Sequence, residues 1–203
     1  MGTPQPNFSA KVEMSKDLLL SANIPRAFWR REALDLDILF QLSDLSAFGP
    51  AKAKLSAFLR NSRRFHSLGG SLYVRCDNSR TGLGLVYSVA VSLLVRGHNV
   101  YCMSGESPAI SQDPMPGQDS DFFLLFNLPI NAGASISRSL NHVISYRSAE
   151  GLPIVIFGSF PLSHWVALFG DSGFRRDAVV IEFPSCQANT DVIRVKELRH
   201  CLQ

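Results

Sequence analysis

The sequence predicts an α/β protein in which a parallel sheet has helices on both faces, preceded by an N-terminal helical segment. Two observations predict this class. Short apolar runs alternate with longer helical patterns from residue 69 onward, and Phe122–Phe126 is unbroken apolar sequence, as in a strand covered on both faces. The composition agrees, because 46% hydrophobic and 18% charged residues in a chain of 203 are enough to fill one core.

The first 68 residues are predicted to be mostly helical. Residues 1–13 contain two prolines and little apolar periodicity, so we expect a flexible tail there. Helical patterning begins at Ser15–Asn23, and Pro50 opens a single helix over Pro50–Leu68. We therefore divide the chain into a tail (1–13), a helical segment packed on the core (14–68) and an α/β core (69–203).

The strands and helices of the α/β core are predicted from apolar runs and from the glycines and prolines that separate them. Glycines and prolines predict a long exposed connection over Ser104–Ser120, and Arg96-Gly97 is a typical helix end. Strands are predicted at Leu72–Val74, Asn99–Met103, Phe122–Phe126, Pro153–Phe157 and Ala178–Phe183, and helices at Leu83–Val95, Ala134–Ala149 and Pro161–Phe169.

Charge and cysteine usage exclude several classes of protein. The net charge is +3, and eleven basic against six acidic residues in 1–75 give that part +5. Four scattered cysteines and five scattered histidines have no metal-ligand spacing, so no metal site is expected. The sequence has neither a membrane-length apolar run nor a secretion signal, which predicts a soluble cytoplasmic protein.

Three arginines concentrate the basic charge at the end of the helix predicted over Pro50–Leu68. Arg60, Arg63 and Arg64 lie three and four residues apart, so one continuous helix would project them from one face. They are either a solvated helix end or contacts to nucleic-acid phosphates. The sequence leaves both interpretations open.

The first strand-to-helix turn is Arg75-Cys76-Asp77-Asn78-Ser79-Arg80-Thr81-Gly82-Leu83-Gly84. In an open α/β sheet this turn normally holds the ligand, because helix N-terminal amides attract an anion. The run from Gly69–Val74 through Thr81-Gly82 to Leu94–Val100 resembles the nucleotide-binding segment of the AAA+ helicase loaders and transposition ATPases, the DnaC/IstB group. This resemblance implies a P-loop NTPase-like fold of the AAA+ type.

Further segments resemble the same group in order and spacing. They are Ile24–Phe28 before the first core helix, Asp121–Leu128 at the acidic second strand, and Leu140–Arg147 with Gly151–Ile156 at the helix and sensor strand. The resemblance covers roughly residues 24–183.

The residues that bind and hydrolyse nucleotide in that group are altered here. A phosphate loop needs G-x-x-x-x-G-K-[ST], in which the lysine pairs with the phosphates and the hydroxyl holds magnesium. In one register this chain has Cys76 and Thr81 at the two glycines, Gly82 at the lysine and Leu83 at the hydroxyl. A shift of one residue matches the second glycine with Gly82 but puts Leu83 at the lysine, so neither register supplies a lysine. Phe157-Gly158-Ser159 replaces a polar sensor triplet. The degenerate loop comprises Cys76, Asp77, Asn78, Ser79, Arg80, Thr81, Gly82 and Leu83, and the degenerate acidic positions are Phe126 and Asn127.

These departures predict a protein that does not hydrolyse ATP and has no cofactor, with ATP and magnesium disfavoured. Arg80 is the residue of the loop that could contact a phosphate, whereas the Asp77 carboxylate would repel one. Arg175 and Arg176 lie where the group has an arginine that reaches the neighbouring subunit's nucleotide. Their other interpretation is an exposed pair of arginines or a salt bridge between Asp171 and Arg175, which would add little stability.

The function that the resemblance implies is a non-catalytic AAA+-like scaffold or adaptor, a pseudo-ATPase, in a DNA replication, transposition or mobile-element complex. Its expected partners are other protein subunits, such as an active AAA+ paralogue or a helicase, together with DNA or RNA, and no membrane. The alternatives are a helicase-loader-type ATPase with an atypical phosphate loop and a protein-interaction subunit without nucleic acid. An unrelated enzyme is disfavoured because no acid, base and nucleophile set follows the strands.

Overall fold

A five-stranded, all-parallel sheet is the centre of the protein. The computed structural model describes residues 15–29, 49–76, 80–129, 134–165 and 178–183. The strands are β1 (Ser71–Arg75), β2 (Val100–Ser104), β3 (Phe122–Phe126), β4 (Ile154–Gly158) and β5 (Ala178–Glu182). Their order across the sheet is β2-β3-β4-β1-β5, with every pairing parallel. The predicted α/β class is confirmed.

Helices cover both faces of this sheet. They are α1 (Lys16–Ser21), α2 (Gly49–Arg60), α3 (Ser62–Ser67), α4 (Arg80–Leu94) and α5 (Ala134–Ala149), with short 3-10 helices at Arg26–Phe28, Pro108–Ser111 and Leu162–Trp165. Side chains of α1, α2 and α4 form one core with alternate strand residues such as Leu72 and Val74. Tyr73, which points to the opposite face, belongs to a second core with α5. Burial on both faces explains the continuous apolar strands.

The outer edge of β2 is covered by the turn that follows α1. The backbone N–H of Cys102 donates to the carbonyl oxygen of Ala22 at 3.0 Å, and Nδ2 of Asn23 donates to the carbonyl oxygen of Cys102 at 2.8 Å. Asn23 has a positive φ of 56°, a conformation that asparagine tolerates better than most residues. These bonds occupy an edge that would otherwise be open to strand pairing.

The prediction of a single helix over Pro50–Leu68 is wrong, because the structure has two helices there, separated at Asn61. Helix α2 ends at Arg60 and α3 begins at Ser62. The side-chain Nδ2 of Asn61 donates to the carbonyl oxygen of Ala57 at 2.8 Å, and the Asn61 backbone lies at φ −102° and ψ 19°. A side chain that competes for a helix carbonyl is a known local cause of such a break.

The connection Ser104–Ser120 is less exposed than its composition predicts. It includes the 3-10 helix Pro108–Ser111, and the side chains of Ile110 and Met115 are buried against α5 and β3. Two apolar residues in a polar, proline-rich stretch are enough to hold it on the core. The helix predicted over Pro161–Phe169 is a 3-10 helix over Leu162–Trp165, and its remainder lies outside the described residues, as does the predicted tail 1–13.

Candidate nucleotide site and its surroundings

The candidate loop begins where β1 ends, at the carboxyl edge of the sheet. Cys76 is buried, and its backbone N–H donates to the carbonyl oxygen of Gly158 at 2.9 Å. Helix α4 begins at Arg80, so the loop connects a central strand to the helix amino terminus, as predicted. Asp77, Asn78 and Ser79 lie outside the described residues, as do the side chains of Arg80 and Thr81.

Gly82 and Leu83 lie in the first turn of α4, at the positions that one register of the phosphate-loop pattern gives to the lysine and the hydroxyl. The side chain of Leu83 is partly buried and packs against the hydrophobic core on the α4 face. An isobutyl group packed on a core can neither pair with phosphate nor ligate magnesium.

The end of β3 is apolar at the position where the resemblance to the AAA+ helicase loaders implies an acid. Phe126 is 7% exposed, and its ring lies 5.7 Å from that of Tyr87 in α4. Tyr87 in turn lies 4.5 Å from Phe28, so three rings form a row between the 3-10 helix Arg26–Phe28 and β3. Burial raises the pKa of Tyr87. The space beside this strand end is therefore filled by aromatic carbon.

Asn127, the second position expected to be acidic, follows this aromatic row. Its backbone has a positive φ of 49°, and its side chain is half-buried. The adjacent carbonyl oxygen of Phe126 accepts a hydrogen bond from the backbone N–H of Gly105 at 2.7 Å. The chain thus turns sharply away from the sheet immediately after β3.

A charged pair that the sequence analysis did not identify lies beside the candidate loop. Nη1 of Arg75, the last residue of β1, is 3.5 Å from Oε1 of Glu182 at the end of β5. The two side chains are 34% and 52% exposed, so the pair adds little stability. Its sequence signal is weak, because 107 residues separate the partners and only strand register brings them together.

The other face of the carboxyl edge is held by a buried hydrogen-bond chain. Nε1 of Trp165 donates to the hydroxyl of Tyr73 at 2.6 Å, and that hydroxyl donates to the carbonyl oxygen of Phe160 at 2.6 Å. Burial raises the pKa of Tyr73. These hydrogen bonds join β1 to the segment after β4, near the residues that the resemblance identifies with the sensor.

The structure does not bring the arginine cluster to the candidate loop. Arg60 ends α2, and Arg63 and Arg64 lie in α3, which immediately precedes β1. All three side chains are exposed. Because β1 runs from this end to Cys76, the arginines lie at the amino edge of the sheet, opposite the loop. Arg175 and Arg176 lie outside the described residues.

The described residues contain neither a metal-ligand cluster nor a membrane-spanning helix. Within the described ranges, no group of three or more His, Cys, Asp or Glu side chains could hold a metal ion. None of the helices in those ranges is long and apolar enough to cross a membrane.

Solved structures share this architecture, although no protein-family model and no curated protein sequence matches the chain. AMPPCP-bound DnaA from Aquifex aeolicus superposes with a TM-score of 0.56 at 14% identity, over 77% of this chain and 51% of that one. A candidate primosome component from Streptococcus pyogenes serotype M3 superposes with a TM-score of 0.55 at 15% identity, over 83% of this chain and 97% of that one. DnaI superposes with a TM-score of 0.51 at 17% identity, over 76% of this chain and 94% of that one.

The sheet order and these likenesses define the class of the fold. A parallel five-stranded sheet with β1 between β4 and β5, flanked by helices, is the P-loop fold of AAA+ type. The fold predicted from the resemblance is therefore confirmed. The chain spans 44% to 53% of the replication-initiator structures that it matches.

Proposed function

We propose that this chain is a non-catalytic AAA+-like protein, a pseudo-ATPase that acts as a scaffold or adaptor subunit in a nucleoprotein complex for DNA replication, transposition or mobile-element transfer. The observation on which the proposal depends is the first turn of α4, where Gly82 and Leu83 lie and neither register of the phosphate-loop pattern finds a lysine. The likeness to the structures of DnaA, DnaI and a candidate primosome component supports a role in replication.

Two separate features support the absence of hydrolysis. The β1–α4 connection contains no lysine from Arg75 to Gly84, so the β- and γ-phosphates would lack their principal cationic contact. At β3 the buried Phe126 ring stands where a carboxylate would hold magnesium. Each change alone removes an electrostatic contact that phosphoryl transfer needs, and the two changes lie on different elements, one at the start of α4 and the other at the end of β3.

The nucleotide part of the proposal is tested by titration of the full chain with a fluorescent ATP analogue and magnesium, in parallel with a phosphate-release assay. We expect neither saturable binding at micromolar concentrations nor hydrolysis. Saturable binding that is lost in Arg80→Ala but kept in Arg138→Ala, an exposed arginine of α5, would instead support an ATPase with an atypical loop.

The partner part needs a separate experiment, because a protein without nucleotide chemistry acts through what it binds. Sedimentation of the tagged protein in native extract is expected to show an assembly larger than the chain itself, and its components can then be identified. A strictly monomeric protein that associates with no other protein and no nucleic acid would contradict the scaffold proposal. Association with protein alone would favour an interaction subunit without nucleic acid.

A further inference from the structure

Side chains from three separate segments meet at the amino edge of the sheet. Nε2 of His66, in α3, lies 3.6 Å from Oδ1 of Asp121, which precedes β3. Nδ1 of His98, in the turn between α4 and β2, lies 3.9 Å from Oδ2 of the same carboxylate. The two imidazole rings are 6.0 Å apart. One carboxylate thus lies within 4 Å of two imidazoles from elements that are distant in sequence.

Two arginines adjoin this group. The pKa of His98 is lowered by burial first and then by the positive charges of His66, Arg63 and Arg96, against the opposing attraction of Asp121. Arg63 and Arg96 lie on segments that are in contact, because Ser62, the residue before Arg63, has its hydroxyl 3.0 Å from Nε2 of His98, two residues after Arg96. We call Arg63, His66, Arg96, His98 and Asp121 the amino-edge cluster.

The charge balance of the amino-edge cluster is positive. Its two guanidinium groups outnumber its one carboxylate, and among the described residues Asp121 is the one acid that acts on His98. The carboxylate is already engaged, because its Oδ2 accepts a hydrogen bond from the backbone N–H of Asn99 at 2.8 Å. The exposed Arg60 and Arg64 extend the positive surface along α2 and α3.

We propose that the amino-edge cluster binds the phosphate backbone of a nucleic acid, with Arg63 and Arg96 as its two principal contacts. The proposal rests on the proposed function and adds to it a site built from two elements, in place of the single helix face that the sequence predicts. Arginine suits this ligand, because its planar fork can make paired hydrogen bonds to phosphate oxygens.

Arg63 and Arg96 have guanidinium N–H groups that could donate to a phosphate. Nη1 of Arg96 donates to the carbonyl oxygen of Ser92, one turn back in α4, which fixes the side chain while other N–H groups remain. Arg63 is exposed on α3, whose Ser62 hydroxyl lies 3.0 Å from Nε2 of His98. That contact ties α3 to the turn containing Arg96, so the two backbone segments that carry the arginines are held next to each other.

A nucleic acid fits this surface better than an anionic membrane does. Helix α3 has six residues, too few for an amphipathic face that could enter a bilayer. Four arginines, Arg60, Arg63, Arg64 and Arg96, lie on α3, at the end of α2 and in the turn that contacts α3. Contacts to phosphate alone predict binding that is independent of base sequence and strongly dependent on salt.

The test measures fluorescence anisotropy of labelled single-stranded and duplex oligonucleotides with the full chain, from about 50 to about 200 mM NaCl. Arg63→Ala and Arg96→Ala are each expected to weaken binding roughly fivefold and to lower the salt slope by about one unit, for any base sequence. The matched control is Arg138→Ala, an exposed arginine on the opposite face of the sheet, which should bind as the wild type does.

Folding effects are separated by thermal melting of each variant, and Arg63→Glu provides a second variant at an exposed position. Its reversed charge should weaken binding more than Arg63→Ala does. Wild-type affinity in the Arg63→Ala/Arg96→Ala double variant, equal losses in the Arg138→Ala control, or binding of anionic vesicles in preference to oligonucleotides would each overturn the proposal. The nucleotide and partner experiments above do not depend on these residues, so the proposed function can fail or stand separately.

Discussion

Arg147 and Pro153 are joined by two hydrogen bonds from one guanidinium group to one carbonyl oxygen, from Nε at 3.0 Å and from Nη2 at 2.6 Å. The same group donates to the carbonyl oxygens of Gln118 at 2.6 Å and Ser120 at 2.8 Å. Arg147 is fully buried at the end of α5, and burial lowers its pKa to about 10, so it remains a cation at neutral pH. It therefore fastens the start of β4 to the segment before β3.

The first prediction is that Arg147→Met lowers the free energy of unfolding by about 3 kcal/mol, because several buried carbonyl groups lose their donor at once. Arg147→Lys should recover part of this loss, since an ammonium group reaches fewer of the acceptors. Urea unfolding followed by circular dichroism measures both. Arg138→Met, at an exposed position of the same helix, is the control and should change stability by less than about 0.5 kcal/mol. Equal stability of the two methionine variants would contradict this role.

The second prediction concerns the close packing at the end of β4. A Cβ atom added to Gly158 would overlap the hydroxyl of Tyr73 and come within 2.9 Å of Nε1 of Trp165. Both atoms belong to the buried hydrogen-bond chain, so neither can move without breaking it. Gly158→Ala should therefore destabilise the protein by about 2 kcal/mol.

The control for this substitution is Gly49→Ala, where an added Cβ would meet no atom within 4 Å. It should leave the free energy of unfolding within about 0.5 kcal/mol of the wild type. A double variant with Tyr73→Phe should lose less stability than the two single changes added together, because the overlapping hydroxyl is then absent. Strict additivity would show that the contact is not responsible.

The sequence predicts the sheet well because each strand is a short apolar run, and Phe122–Phe126 and Ala134–Ala149 have the predicted bounds. The candidate loop and the end of β3 also follow from sequence, since both lie at predicted strand ends. The burial of Arg147 could have been predicted from its position on the helix, although an arginine is usually exposed. Arg147 lies three and four residues after Ile144 and Val143, on the apolar face of α5, where burial is expected for any side chain.

Other features depend on long-range contacts that no local pattern encodes. The break at Asn61 results from one side-chain hydrogen bond, and Trp165 reaches Tyr73 across 92 residues. The amino-edge cluster gathers residues from three segments, so the arginines of α3 could be identified from sequence but Arg96 could not. Sequence spacing predicts faces of single helices, whereas these groups are assembled by the order of the strands.

The third prediction is that an acid cannot be restored at the end of β3. Phe126→Asp should destabilise the protein by about 3 kcal/mol, because it replaces a buried ring beside Tyr87 with an unpaired charge. Asn127→Asp is the matched control one residue later, where the side chain is half-buried and aspartate tolerates the positive φ. It should cost less than about 1 kcal/mol. A rise in the melting temperature of Phe126→Asp on addition of magnesium and ATP would contradict both this prediction and the proposed function.

The fourth prediction is a loss of stability in mild acid that depends on His98. Burial lowers the pKa of this imidazole below its ordinary 6.5, His66, Arg63 and Arg96 lower it further, and Asp121 only partly offsets them. The unfolded chain, in which the ring is solvated, therefore binds the proton more tightly than the folded protein does. The stability contributed by neutral His98 is complete above pH 6.5 and is lost as the pH falls below that value.

Urea unfolding at pH about 7.5 and about 5 measures this effect in the wild type and in His98→Gln, which has no titrating group at this position. The variant should lose less free energy of unfolding between the two pH values than the wild type does. Other acid-sensitive groups are common to both proteins, so the difference isolates His98. His142→Gln, at an exposed position of α5, should retain the wild-type dependence. If His98→Gln lost as much stability in acid as the wild type, the imidazole would have no part in the transition.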